Sequence, residues 1–422
     1  GRLGGRMMVV NANSVLGLPA ARGKILLGQL GCGDQDAEAT LAHVIWSHLC
    51  EPGDMLAGAL VQKLGPVEAL SLIRGFDAAQ ALIAALEDAE VHDELLTNRE
   101  DLASELNDGI ARWRARDNNA AVLRSLELWA RLDGQIVTPD AADWPAGLEL
   151  LGAGAPRVLW LRGQRGALGS LDACIAMVGS RNVSSHGVHA AQAIAVSAVA
   201  AGLAVVSGGA YGVDAEAHRG TLAAGGITIA VLAGGGDRFY PVGNADLLRQ
   251  ILVSGCILAE QAPGNSPTRW RFLQRNRLIA ALGEATIIVE MAVKSGAKNT
   301  MHHALAMGRA VYAVPGQMLS ATARGCNIAI AEGKANIASG ADEVIKEILG
   351  VGFEYESKGE LTALQQRILD ATSINAASVE RLGIRAGTTN RETLSALGAL
   401  ELLGLVERRE RGWARPTLSL RG

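Results

Sequence analysis

Between residues 135 and 349 the chain alternates short, largely apolar runs with stretches of helical period, and this rhythm restricts the fold more than any other feature. The runs Cys174–Val178, Ala204–Val206, Thr228–Leu232, Cys256–Leu258, Thr286–Val289 and Ala310–Val314 are too short for helices and too apolar for one wet face. Strands of this kind need cover on both sides, and helices between them force a parallel arrangement. Stretches such as Val188–Ala200 and Asn299–Met307 supply the cover. The pattern therefore predicts an α/β domain with a doubly wound, mostly parallel sheet over residues 135–349. Ligands of such sheets sit off the carboxyl ends of the strands.

The flanks read differently. Residues 36–134 show apolar positions three and four apart, as in Leu41, Val44, Ile45, Leu49 and Leu60, Leu64, Val67, Leu70, with boundary signals at Glu51-Pro52-Gly53 and Gly65-Pro66. They predict a small helical domain whose last helix, Arg112 to Leu132, carries Trp113 and Trp129 among arginines. After a Gly350–Gly359 linker come three helical pieces, Thr362–Thr372, Ser378–Leu382 and Thr389–Leu403, and then two polar arms around Arg411-Gly412. Three helices closed by a hairpin over residues 360–418 are the winged-helix pattern. Thr388, Thr389, Asn390 and Arg391 are residue types that read DNA, although winged domains also bind proteins.

Composition narrows the partners. A net charge of -4 over 422 residues excludes attachment to nucleic acid through bulk charge, so any such contact has to come from a local patch. The five cysteines never form the close pairs of a zinc site or redox dithiol, and read as reduced thiols of a cytoplasmic protein. No apolar run reaches the length of a membrane span. The glycine-rich opening, GRLGGRMMVVNANS, reads as an irregular leader outside the fold.

Three glycine-rich loops follow strands: Gly179-Ser-Arg-Asn182, then SGGAYGVD from Ser207 to Asp214, then Gly234-Gly-Gly-Asp237. Small residues let backbone amides approach a phosphate, and Arg181 adds a forked, permanent charge. The same glycines also serve as plain connectors. The SGGAYGVD spacing is not GxGxxG and lacks the ribose-binding acid about twenty residues on, and no GxxxxGK[ST] occurs, so NAD and P-loop ATP are unlikely ligands. Asp214 and His218 stand at acid/base spacing, which a helix cap and a satisfied histidine also explain. From Gln261 through Gly283 there is no acidic residue, while Arg269, Arg271, Arg275 and Arg277 accompany Trp270 and Phe272. Cations that track phosphates beside rings that stack bases describe a single-strand surface.

Taken in order, GSR, SGGAYGVDAEAH, GGGDRFYP, RWRFLQRNRLIAAL, Val314-Pro-Gly316 and Gly325-Cys-Asn327 resemble the bacterial DNA-processing protein A family (DprA, also called Smf). The resemblance covers residues 135–349 firmly and the flanks more loosely. It implies a Rossmann-like binder of single-stranded DNA between a small helical domain, of the SAM or helix-hairpin-helix kind, and a winged helix. It further implies homodimers, loading of RecA recombinase onto incoming strands in natural transformation, and no catalytic reaction, cofactor or metal. Arg181, Ser207 to Gly209, Arg275, Asn276 and Arg277 match the family's DNA-contacting motifs, and Glu260 and Glu290 fall on acidic positions that fix loops. With Gly179, Ser180, Arg271 and Lys298 these form the candidate phosphate-binding set. The sequence departs at Ser295-Gly-Ala-Lys-Asn-Thr300, where the family usually reads Ser-Gly-Ser, so a hydroxyl is missing at Ala297 while Lys298 adds charge. Two rival readings stand beside this one: a nucleotide phosphoribohydrolase, whose PGGxGT-with-Glu pattern is absent, and a duplex-DNA regulator acting through the winged domain.

Overall fold

A short hairpin, β1 (Ser14–Val15) with β2 (Leu18–Pro19), opens the described chain and leads into α1 (Ala20–Gln29). The computed structural model describes residues 14–33, 35–88, 99–351, 361–402, 405–409 and 412–416. The glycine-rich opening up to residue 13, the 352–359 part of the Gly350–Gly359 linker, and Arg411 lie outside these residues. Helices α2 (Ala37–Leu49), α3 (Met55–Leu64), α4 (Pro66–Arg74), α5 (Ala78–Asp88), α6 (Arg99–Arg116) and α7 (Asn119–Arg131) follow. Their starts are written locally: Asp36 and Asp54 accept backbone N–H bonds at the caps of α2 and α3, and Pro66 occupies the first turn of α4. The single helix expected over Arg112 to Leu132 is instead two. Asn118 caps α7 by accepting from Ala121 N at 3.1 Å, which ends the continuity that apolar period alone suggested.

Nine strands form the central sheet, in the order β11-β10-β9-β5-β6-β7-β8-β4-β3. In chain order these are β3 (Gln135–Val137), β4 (Leu159–Gly163), β5 (Cys174–Val178), β6 (Ala204–Ser207), β7 (Thr228–Leu232), β8 (Cys256–Ala259), β9 (Ala285–Ile288), β10 (Ala310–Ala313) and β11 (Asn336–Ile337). From β5 to β11 neighbours pair in parallel; β4 and β3 add an antiparallel edge beside β8. The crossovers are α8 (Ser185–Ala200), α9 (Val213–Ala223), α10 (Ala245–Ser254), α11 (Arg269–Leu282), α12 (Gly296–Ala306) and α13 (Arg324–Ala331), with α14 (Ala341–Ile348) after β11. Alternate residues of β5 serve opposite faces: Ile175 and Met177 pack with Ile194 of α8 and Val344 of α14, whereas Ala176 and Val178 pack with Leu278 of α11 and Met301 of α12. The sheet is thus covered on both sides, as its apolar strands require.

The helical layer shares a core with this sheet. Trp46 packs edge-on against Trp113 with ring centroids 5.6 Å apart, and Trp129 against Trp160 of β4 at 5.8 Å. One continuous apolar cluster runs from these helices to Ile136, Val158, Ala259 and Ala262. The chain divides after Gly352 into a second unit. There α15 (Ala363–Ala371), α16 (Val379–Ala386), α17 (Asn390–Leu402) and the pair β12 (Glu407–Arg409) and β13 (Gly412–Ala414) enclose Ile368, Leu382, Leu397, Leu400 and Trp413. A capping box joins Thr362 to Gln365, and Gly387 closes α16 with φ 63°. No single helix among the described residues is long and apolar enough to cross a membrane.

The shared core makes the helical layer and the sheet unfold together. Trp129 is fully buried and donates from Nε1 to Gln135 O at 2.8 Å. Trp129→Ala is expected to cost about 3 to 5 kcal/mol, read as a lower denaturant midpoint for one cooperative transition of the first unit. Two separate transitions in that unit would contradict the shared core.

Candidate nucleic-acid interface

The order of β9, β5 and β6 places the switch of winding direction between β5 and β9, where loops leaving the carboxyl ends diverge to opposite faces. A groove of about 930 Å³ opens there, lined by loops after β5 through β9 and by one side of α11. Arg181, Arg269 and Lys294 bring cations to its exposed rim, and among the described residues Asp214 is its only acidic lining residue. Chain-wide acidity does not reach this surface.

The loop after β5 is fixed before any ligand arrives. Asn182 N donates to Ser180 Oγ at 3.1 Å, and Ser184 caps α8 by accepting from Gly187 N at 3.2 Å. Buried Glu290 accepts from Ser184 N at 3.1 Å and from the Ser184 hydroxyl, which bears out an acid that fixes a loop. A side chain at Gly179 would meet Val213 at 2.6 Å, because Val213 N donates to Ser180 O at 3.0 Å and pulls the first two glycine loops together. Arg181 lies over the Phe272 ring at 5.1 Å, and Phe272 packs against Tyr240 at 5.7 Å. Cation, ring and ring form a short ladder along the groove.

The glycine run proves to be a socket for Arg275. The Arg275 guanidinium donates to Gly208 O at 2.6 Å and to Val231 O, and a Cβ on Gly208 would lie 2.6 Å from its Cζ. Gly209 takes φ 65°, and Asn244 Nδ2 donates to the carbonyls of Gly209 and Ala210 at 3.0 Å each. Burial pushes the Arg275 guanidinium down to about 10, against the pull of Asp214, so it remains charged at neutral pH. Burial likewise pushes the Asp214 carboxyl up, opposed by Arg275 and by the amides of Ala210 and Gly208.

Of the candidate set, Gly179, Ser180, Arg181, Arg275 and Asn276 line the groove. The others do not. Ser207 is fully buried and donates its hydroxyl to Met177 O at 2.6 Å; Gly208 and Gly209 are buried around Arg275. Arg277 is buried in an ion pair with Glu260 at 2.6 Å, and Arg271 makes two bonds to Glu51 at 2.9 and 3.0 Å. Lys298 is exposed on α12 beside the lining residues Ala297 and Thr300. Ser207, Gly208, Gly209 and the Arg275/Arg277 pair, expected to hold phosphates, are thus buried: strand-end residues point into a core, and an arginine with two carbonyls or a carboxylate in reach turns inward. Asp214 and His218 do not pair either, since His218 Nδ1 meets Thr228 Oγ1 at 2.7 Å.

Sequence reasoning passed over Tyr240, which is half-exposed and stacked, and Lys294, just before the Ser295 cap of α12. Lys294 carried a signal, a lysine next to a Ser-Gly helix start. Tyr240 carried only its place after a glycine turn. The start of α12, from Gly296, also faces the groove and adds helix-end amides with partial positive charge.

Comparison with known proteins follows the same geometry. The family model described as DNA recombination-mediator protein A matches residues 135–349, and the DprA winged helix domain matches residues 354–410. The putative DNA processing protein DprA of Mycobacterium tuberculosis (strain CDC 1551 / Oshkosh) is 34% identical over 388 residues, covering 87% of this chain and 92% of that protein. DNA processing protein DprA of Streptococcus pneumoniae is 38% identical over 168 residues, 40% of this chain and 59% of that protein. The X-ray structure of DNA processing protein A from Streptococcus pneumoniae superposes with a TM-score of 0.52 at 28% identity, covering 68% of this chain and 97% of that one.

Burial of His218 has a measurable consequence. Burial first, and then Arg275 and Arg219, push its imidazole down to about 3, and burial alone pushes His48 down to about 4. The unfolded chain therefore takes up these protons first, so stability is full above about pH 6.5 and is lost as pH falls below it. Between pH 6.5 and 5 the unfolding free energy is expected to fall by up to about 1.4 kcal/mol per pH unit for each histidine. Urea titrations of wild type and His218→Asn check this; equal slopes would contradict a neutral, buried His218.

Proposed function

The chain belongs to the DNA-processing protein A (DprA/Smf) family of DNA recombination mediators, and from that membership we propose that it holds single-stranded DNA, without strong sequence preference, in the groove at the β5/β9 switch point. The carrying observation is the coincidence in one groove of unpaired cations with two aromatic rings, exposed Tyr240 and half-buried Phe272. Arg181, Arg269 and Lys294 have no carboxylate partner among the described residues, and they stand beside Phe272 and Tyr240. Phosphates engage the rim cations, Ser180, Asn276 and the start of α12. Bases turn to the rings, where stacking contributes about 1 to 3 kcal/mol per base whatever its identity. Arg275 acts from the floor as a fixed positive charge, and Ser207, Gly208, Gly209, Arg277 and Glu260 shape the site rather than touch the strand. Lys298 extends the positive rim beyond the lining.

Family membership supports the further steps: a homodimer that joins two grooves, and delivery of the held strand to RecA recombinase during natural transformation. The chemistry asked of the protein is binding and release. A groove whose cations lie at the rim, and whose single acid is buried under an arginine, is built for that.

Fluorescence anisotropy with a labelled oligothymidylate tests the reading. Arg181→Ala with Lys294→Ala is expected to weaken binding and lower the dependence of log affinity on log salt by about 1.4, at roughly 0.7 per cation for single strands. Tyr240→Ala is expected to cost about 1 to 3 kcal/mol with the salt slope unchanged. Wild-type affinity and slope in all of these variants would remove the groove as the binding site.

A further inference from the structure

We infer that Glu51, on the loop between α2 and α3, is a positioning residue for the groove and acts through Arg271 of α11. The inference rests on the strand-binding reading above and concerns what the helical layer contributes to it. Six residues of α11 line the groove: Arg269, Phe272, Leu273, Arg275, Asn276 and Ile279. At 3.6 residues per turn, a small rotation of this helix re-aims all of them together. The carboxyl half is anchored by apolar burial of Leu278 to Leu282. The amino half has no such anchor: Arg269, Trp270 and Leu273 are exposed, and Phe272 faces the groove. There the helix is held chiefly by polar contacts.

On the side away from the groove the polar contacts centre on Arg271. Glu51 accepts from Arg271 Nε at 3.0 Å and from a terminal nitrogen of the same guanidinium at 2.9 Å, while Arg271 also donates to Ser266 O at 2.9 Å. A two-point bond of this kind fixes orientation as well as distance. Arg116 of α6 donates to the same carboxylate at 2.7 Å, sharing Oε1 with Arg271. Hydrogen bonds from both arginines outweigh the effect of burial and keep the Glu51 carboxyl below its ordinary range, so it is charged at neutral pH. The loop is itself rigidly placed: Asp54 caps α3 and accepts from Trp113 Nε1 at 2.9 Å. Gly53, at φ 77°, lets the backbone close on Gln274, where a Cβ would come within 2.5 Å of its Oε1. The helical layer thus grips α11 on the side opposite the strand.

Removing the grip and removing a competing anion predict opposite signs. With the full chain and a labelled oligothymidylate, Glu51→Gln is expected to weaken binding about tenfold, while Glu51→Asp recovers part of the loss. The emission of exposed Trp270 in the free protein should shift in Glu51→Gln, with the melting temperature close to wild type. Arg116→Ala, which leaves Arg271 paired, should change affinity by less than about twofold. Tighter binding by Glu51→Gln would show that the carboxylate merely competes with phosphate for Arg271, and unchanged binding would show that α11 needs no brace; either overturns the inference. Should Glu51→Gln fold poorly, Arg271→Lys keeps the charge on α11 but cannot make the two-point bond and is expected to weaken binding too; unchanged binding there is equally fatal. A wild type that binds no oligonucleotide removes the strand-binding reading and this one together, whereas wild-type binding that Glu51→Gln leaves intact removes only this one.

Discussion

A guanidinium buried under a glycine run is the contact on which the rest of the groove depends. Arg275 sits against the carbonyls of Gly208 and Val231, with Asp214 as its nearest opposing charge. Burying a cation is costly unless it is paired and hydrogen-bonded, and only residues without side chains let the backbone come close enough to do both. Gly208 meets that demand by lacking a Cβ, Gly209 by its left-handed turn, and Asn244 by satisfying the carbonyls the turn leaves over. The glycines look like a phosphate cradle because the geometric demand is the same: backbone dipoles brought up to a charged group. Here that group belongs to the protein.

This arrangement explains how an acidic chain presents a positive groove. Charges more than a Debye length apart, about 8 Å at physiological salt, are largely screened, so net charge says little about a local surface. What counts is that acids near the groove are already committed. Glu290 is tied to Ser184, Glu260 to Arg277 and Glu51 to Arg271 and Arg116, while Asp214 is buried, accepts from Ala210 N and feels the charge of Arg275. The cations without such partners, Arg181, Arg269 and Lys294, are left at the rim.

The sheet and its helices were legible because parallel strands covered on both faces leave an unmistakable apolar rhythm. Each of the runs from Cys174 to Val314 contains a strand within a residue or two of its expected limits. Short edge elements were less legible: β3 and β4 form an antiparallel edge, which has no crossover helix to announce it. The break between α6 and α7 was hidden because Asp117 and Asn118 interrupt an otherwise continuous helical period by capping rather than by glycine or proline. At the groove, sequence located the loops and α11 but could not sort its arginines. Arg269, Arg271, Arg275 and Arg277 differ only in azimuth, and azimuth decides which meets Glu51, which meets a carbonyl and which meets solvent.

That sorting bears on which form of nucleic acid the groove favours. A surface of cations alone attracts any phosphate backbone, duplex or single. On the proposed reading, Phe272 between Arg181 and Arg275, with Tyr240 against it, adds a reward that only unstacked bases can collect, because a duplex keeps its ring faces against one another. On the reading proposed above, selectivity for single strands comes from rings set beside cations, Phe272 on α11 with Arg181 and Tyr240 on the loops around it, with no need to read base edges. It also follows that the orientation of α11 matters more than the number of its charges. A helix turned so that the arginines still faced outward, with Phe272 rotated from Tyr240, would keep its attraction for DNA and lose its preference for the single strand.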